Sequence, residues 1–267
     1  MSDRLKKTFE NKSKKLVTFI TGGDPDLETS FEILKTIINN NIDIVEIGMP
    51  FSDPMADGPT IQESSTRSIE SGTTIQDIFE LVKKIRTLNN EIPVILMGYY
   101  NSIFNLGIEE FTSKCAQVGV DGLIIVDLQP EEDADLYVKT KENNIDLIRL
   151  ITPTTNNERL KTILNNASGF LYYVTVTGIT GQNSANLKEL ETSINLIRSE
   201  SNLPIVAGFG IKSRKDVENI SAFTDGVVVG SSIVNIIKDN ISDKKNMLEK
   251  IDSFTQDLKK GTVSWIG

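Results

Sequence analysis

The chain has 267 residues, 39% of them hydrophobic and 24% charged, enough apolar material for a sizeable interior under a solvated shell. Its net charge of -9 repels nucleic acid and anionic lipid, so any phosphate it binds has to be held locally. It contains no histidine, which excludes a Ser-His-Asp triad or a His-bound zinc and leaves acid-base work to carboxylates, Tyr, Lys or Cys.

The opening MSDRLKKTFENKSKK is charged and has no apolar signal core, and no later run approaches the ~20 apolar residues of a membrane span. The expectation is a soluble protein of the cytoplasm or, in an organelle, of the plastid stroma. KLVTFITGG then reads as a strand, and LETSFEILKTIINNN as a helix with apolar residues at helical spacing. The next strand, DIVEIGMPF, places Glu46 inside its apolar run, near the C-terminal end, where the side chain can point inward. Burying an unpaired carboxylate raises its pKa, which suits proton transfer near neutrality. A structural Glu bonded to a neighbouring loop is the alternative.

The following loop, MPFSDPMADGP, carries Asp57 just ahead of a helical pattern that starts near Thr60. An isolated ADGP would make Asp57 an Asx turn or helix cap. This loop leaves the very strand that carries Glu46, however, so both acids can face one ligand. Asp53 in FSDP reads as a turn residue or an interface contact.

Further along come the helix TIQDIFELVKKIRTLN, the strand PVILMGYYN and the helix GIEEFTSKCAQVG, in which Cys115 fills core. The strand GLIIVDL closes on Asp127, a mouth carboxylate able to bond Tyr99, Tyr100 or Asn101 from the loop before it. The helix EEDADLYVKTKENN precedes the strand DLIRLIT, whose Arg149 is the one basic residue in the interior of a strand and is expected to be paired structurally. NERLKTILNNA, GFLYYVTV, NLKELETSINLIRS, PIVAGFG, RKDVENISAF, GVVVGSS and IVNIIKDN continue the alternation.

Eight strands apolar on both faces, each followed by a helix, fit an α/β fold of the (β/α)8 TIM-barrel type, one domain over residues 1–267 with its site at the C-terminal ends of the strands. No GxGxxG follows the first strand. MPFSDPMADGPTIQESS and TVTGITGQNSANLKEL are longer than turning requires and read as lids. TGITG, AGFG and VGSS are glycine-rich ends gathered late in the chain. One such glycine serves a tight turn equally well, but three at one face, with a helix starting near Ser231, point to a phosphate held by Gly181, Gly210, Gly230 and Ser231. A phosphate-binding barrel that cleaves carbon-carbon bonds usually uses a Schiff-base lysine or a metal, and the strand ends offer neither a Lys nor a His. That leaves a substrate with its own electron sink, for which two carboxylates suffice.

VEIGMPFSDPMADGPTIQ, followed by YYNSIFNLGIEEF, VTGITG, AGFGI and VGSSIV, resembles the tryptophan synthase alpha chain family in order and over nearly the entire length. The resemblance implies cleavage of indole-3-glycerol phosphate, with Glu46 as general acid/base at indole C3 and the glycerol hydroxyl, and Asp57 stabilising charge at the indole N–H. It also implies an indole pocket lined by Phe19, Met97, Ile124 and Phe209, beside Tyr99 and Asp127, with Thr180 in a lid that closes on Asp57. No cofactor or metal is expected in this chain. PLP is expected in a partner beta chain of an α2β2 complex, met by the loop with Pro50, Asp53 and Pro54 and by Asn101.

Overall fold

The computed structural model describes residues 1–174, 184–208 and 210–263. Its strands are β1 (Lys15–Thr21), β2 (Ile44–Gly48), β3 (Val94–Gly98), β4 (Gly122–Ile125), β5 (Asp146–Leu147), β6 (Arg149–Ile151), β7 (Leu171–Val174), β8 (Ile205–Gly208) and β9 (Gly226–Val229). They pair in parallel in the order β5-β4-β3-β2-β1-β9-β8-β7-β6. β5 and β6 are two halves of one stave, parted at Ile148, whose N–H still reaches Leu123 O at 2.9 Å. The first half pairs with β4 and the second with β7, which closes a ring of eight staves. This is the expected (β/α)8 barrel, with DLIRLIT as its divided fifth stave.

Alternation along each strand divides the apolar residues into two cores. One parity points outward: Leu16, Val45, Leu96, Leu123, Leu171 and Val227 pack beneath the surrounding helices. The other fills the barrel: Val17, Phe19, Ile44, Ile95, Ile124, Ile148, Phe170 and Tyr172. Glu46 shares the parity of Ile44, and so the strand aims it into the barrel. Arg149 has the outward parity of Leu147 and Ile151 and pairs with buried Asp133, as expected of a structural cation; burial pulls its pKa down to about 10.

The outer layer consists of α2 (Leu27–Asn39), α3 (Pro59–Glu70), α4 (Ile75–Leu88), α5 (Tyr100–Leu106), α6 (Ile108–Val118), α7 (Ala134–Glu142), α8 (Asn157–Leu164), α9 (Ser184–Glu200), α10 (Arg214–Ser221), α11 (Ser231–Asp239) and α12 (Lys244–Val263). Side chains cap several of the starts: Asp26 accepts from Thr29 N, Asn156 from Arg159 N, and Thr74 forms a reciprocal box with Asp77. Cys115 is fully buried on α6, and burial pushes its thiol pKa up, consistent with core filling. Among the described residues, no helix is long and apolar enough to cross a membrane.

The charged N-terminal stretch folds into a helix, α1 (Asp3–Glu10), that stops the barrel at the N-terminal ends of its strands. Leu5 is wholly buried within the barrel core, and Phe9 meets Phe170 at 5.9 Å between ring centroids. Ser2 N donates to Asp146 Oδ2 at 2.6 Å, while Arg4 donates to Asn90 O at 2.6 Å and to Asp121 Oδ1 at 3.1 Å. Three strand starts are thereby tied to one short helix. Leu5→Ala should leave a cavity in this plug and cost about 2–5 kcal/mol, read as a lower urea midpoint at unchanged slope.

Candidate active site

β2 sets Glu46 between Phe19 of β1 and Ile95 of β3, its register partners on either side. The side chain is 1% exposed, and neither carboxyl oxygen has a hydrogen-bond partner among the described residues. Desolvation first, and then the charge of Asp57, push its pKa up to about 8. Near neutral pH this carboxyl keeps its proton.

Asp57 lies in the loop between β2 and α3, and does not cap the helix. The cap position is Gly58, with Pro59 opening the first turn. Asp57 Oδ2 instead accepts from Tyr99 Oη at 2.9 Å. Burial raises the Asp57 pKa and the Tyr99 hydrogen bond opposes that rise. The helix after the loop is pinned to the end of β1: Ser64 Oγ lies 2.6 Å from Thr21 Oγ1, Ser68 Oγ donates to Gly22 O at 2.7 Å, and Arg67 forks onto buried Asp24 with two 2.7 Å bonds. These contacts fix one end of the Asp57 loop, and β2 fixes the other.

A narrow apolar cavity of about 10 Å3 adjoins Asp57 and is lined by Phe19, Met49, Ile61, Met97, Tyr99 and Val126. The roomier hollow beside Asn11, Arg198 and Pro204 lies at the opposite end of the barrel, away from the acids whose pKa is raised. Ile124 is wholly buried one layer beneath this cavity, and its i+2 neighbour Val126 takes the lining position. Asp127 is exposed, and its Oδ1 accepts from Tyr100 N at 2.8 Å, one of the partners expected for it.

One of the glycine corners lies against Phe19, a residue that lines this cavity. A Cβ on Gly230 would sit 3.3 Å from Phe19, so the bare backbone lets the ring lie close against the start of α11. No side chain caps α11, and first-turn amides such as those of Ser231 and Ser232 have no partner within a helix. Ser232 Oγ donates to Ile211 O at 2.5 Å, which draws in the loop of Gly210, a residue at φ +59°. Gly210, Gly230 and Ser231 are thus assembled around an uncapped helix end. Thr180, Gly181 and Phe209 lie outside the described residues.

Tyr172 was not among the residues singled out from the sequence. It lies on β7, buried, and the charges of Glu46 and Asp57 add to desolvation in raising its pKa well above the ordinary value. Its signal was the alternation in GFLYYVTV, where Phe170 and Tyr172 share the inward parity. Thr21, Met49 and Ile61 likewise line the cavity without having been named from the sequence.

A family model described as tryptophan synthase alpha chain matches residues 5–263. The chain is 43% identical to the tryptophan synthase alpha chain of Petrotoga mobilis over 256 residues, 96% of this chain and 98% of that one. It is 44% identical to that of a Geobacter species over 263 residues, 98% and 97% of the two chains. Among solved structures, tryptophan synthase subunit alpha from Legionella pneumophila superposes with a TM-score of 0.91 at 34% identity, covering 98% of this chain and 99% of the other.

The buried Glu46 carboxyl makes stability depend on pH. Its pKa is about 8 in the fold against an ordinary 4.5, so between those values the native state holds a proton that the unfolded chain has released. Stability therefore falls as pH rises from 4.5 to about 8, and the loss is complete above that. Glu46→Gln should match the wild type near pH 5 and exceed it by a few kcal/mol near pH 9, measured by urea unfolding across the range.

Proposed function

Because the chain belongs to the tryptophan synthase alpha chain family, we propose that Glu46 and Asp57 together perform its reaction, the cleavage of indole-3-glycerol phosphate to indole and glyceraldehyde 3-phosphate. The chain is the carbon-carbon lyase of the alpha step in L-tryptophan biosynthesis, and it works with a beta chain that holds the PLP of the α2β2 complex. We read residues 1–267 as one catalytic domain of a cytoplasmic enzyme, with the site at the C-terminal ends of the strands.

The observation that carries the residue assignment is the buried, unpartnered Glu46 carboxyl, which feels the charge of Asp57, itself part of the lining of an apolar cavity. Protonated Glu46 delivers its proton to indole C3, which turns the ring into an indoleninium. Asp57, whose ionised form the Tyr99 bond favours against burial, stabilises the positive charge at the ring N–H. Glu46, now a carboxylate, takes the proton of the glycerol hydroxyl. The bond between the ring and the side chain then breaks, its electron pair returns to the ring, and the hydroxyl carbon becomes the aldehyde. The acid ends the cycle protonated, as it began, and neither a lysine nor a metal is called upon.

In the same reading the phosphate rests on the amides of Gly210, Gly230 and Ser231, joined by Gly181, at the positive end of α11. Phe19 and Met97 flank the indole over Ile124, with Tyr99 and Asp127 at the mouth; pocket and lid roles for Phe209 and Thr180 rest on the family resemblance alone. The loop with Pro50, Asp53 and Pro54, together with Asn101, meets the beta chain; exposed Met55 and Phe104 supply apolar surface there. Indole release from indole-3-glycerol phosphate tests the assignment. Glu46→Gln should lower kcat by about 10²- to 10⁴-fold and Asp57→Asn by about 10²- to 10³-fold. Unchanged turnover in both variants would falsify it.

A further inference from the structure

Residues 50–58 form an exposed loop that has to deliver Asp57 to the ligand, yet almost nothing holds its middle. Its hydrogen bonds among the described residues are local: Met55 N to Asp53 O, Asp57 N to Pro54 O, Ser52 Oγ to Asp53, and Gln62 of α3 to the carbonyls of Asp57 and Pro54. Two bonds are exceptions, and both end on one atom. Tyr99 Oη accepts from Ala56 N at 3.0 Å and donates to Asp57 Oδ2 at 2.9 Å. Tyr99 itself is 3% exposed at the end of β3, and its ring stacks on Phe51 with centroids 5.1 Å apart and planes 24° apart.

We propose that Tyr99 is the positioning residue of this site: its phenol fixes the loop peptide at Ala56 and aims the Asp57 carboxylate, while Phe51 holds the phenol ring in place. The proposal rests on the reading of Asp57 given above. A phenol has a single proton. Because its lone pair is engaged by the Ala56 N–H, that proton is directed to Asp57, and this sets the rotamer of the carboxylate. Ring, loop and acid then move as one unit, and a shift of the exposed strip Phe51–Met55 is passed to Asp57 through Tyr99. The other titratable groups bearing on this unit are Glu46 from β2, Tyr172 from β7 and Asp127 from the β4 end, all of which disfavour added negative charge.

Tyr99→Phe keeps the ring and its stack but removes both bonds. Assayed as the complex with the beta chain, it should lose roughly ten- to a hundredfold in kcat/KM, mainly in kcat. The acidic limb of its pH profile should move to higher pH, because the ionised form of Asp57 loses a donor. A carboxyl NMR titration of 13C-aspartate-labelled protein should show the same upward move for Asp57 without any assay of turnover. Phe51→Leu, which leaves the phenol in place, should move both readouts in the same direction by less, and it decides the matter if Tyr99→Phe does not fold. A Tyr99→Phe enzyme with wild-type rate and an unmoved Asp57 titration, while Asp57→Asn is inactive, overturns the positioning role and leaves the catalytic reading standing. Full activity in Asp57→Asn overturns both.

Discussion

The mouth of this barrel is organised around one carboxyl group that has no hydrogen-bond partner among the described residues and almost no access to water. Charge at that position is expensive, and the fold answers by leaving the proton on Glu46. The charge of Asp57 reinforces that choice, and its own ionised form is favoured by a phenol donor. The two acids are chemically alike. Their surroundings differ, one carboxyl without a partner and the other with a phenol donor, and the proposed division of acid and charge-holding work rests on that difference.

The direction of Glu46 was legible from alternation alone, since Ile44 and Glu46 share the inward parity of Val17 and Phe19 on the adjoining strand. The ring of staves was legible too, apart from the division of the fifth at Ile148, which two-sided apolar patterning does not mark. What fixes Asp57 was not legible, because Tyr99 is 42 residues away and reaches it across two loops. GYYNSIFNLG reads as a glycine-bounded loop, yet Tyr100–Leu106 coils into a helix once Tyr100 N finds Asp127. The run KKNMLEKIDSFTQDLKK carries Met247, Ile251 and Leu258 at helical spacing, and its many lysines disguise the buried stripe of α12.

Position within the barrel also separates rigid parts from yielding ones. The Glu46 end of the site is built on strands packed from both sides, and α3 is locked to β1 by buried hydroxyls and the Asp24–Arg67 fork. The segment between them has little packing of its own. Met55 and Phe104 hold large apolar side chains in solvent at the same end of the barrel, which suits a surface completed by the beta chain.

The stopper at the opposite end has a consequence for how the chain is made. α1 leaves the ribosome before any strand, but its seat is built from Asn90, Asp121, Asp146 and Phe170, which emerge much later. Until then Leu5 and Phe9 have nowhere to hide, and the nascent chain trails a short greasy helix that charged neighbours keep in solution. Docking of α1 therefore depends on contacts of long sequence separation, from Ser2 to Asp146 and from Phe9 to Phe170, which need those staves to be present.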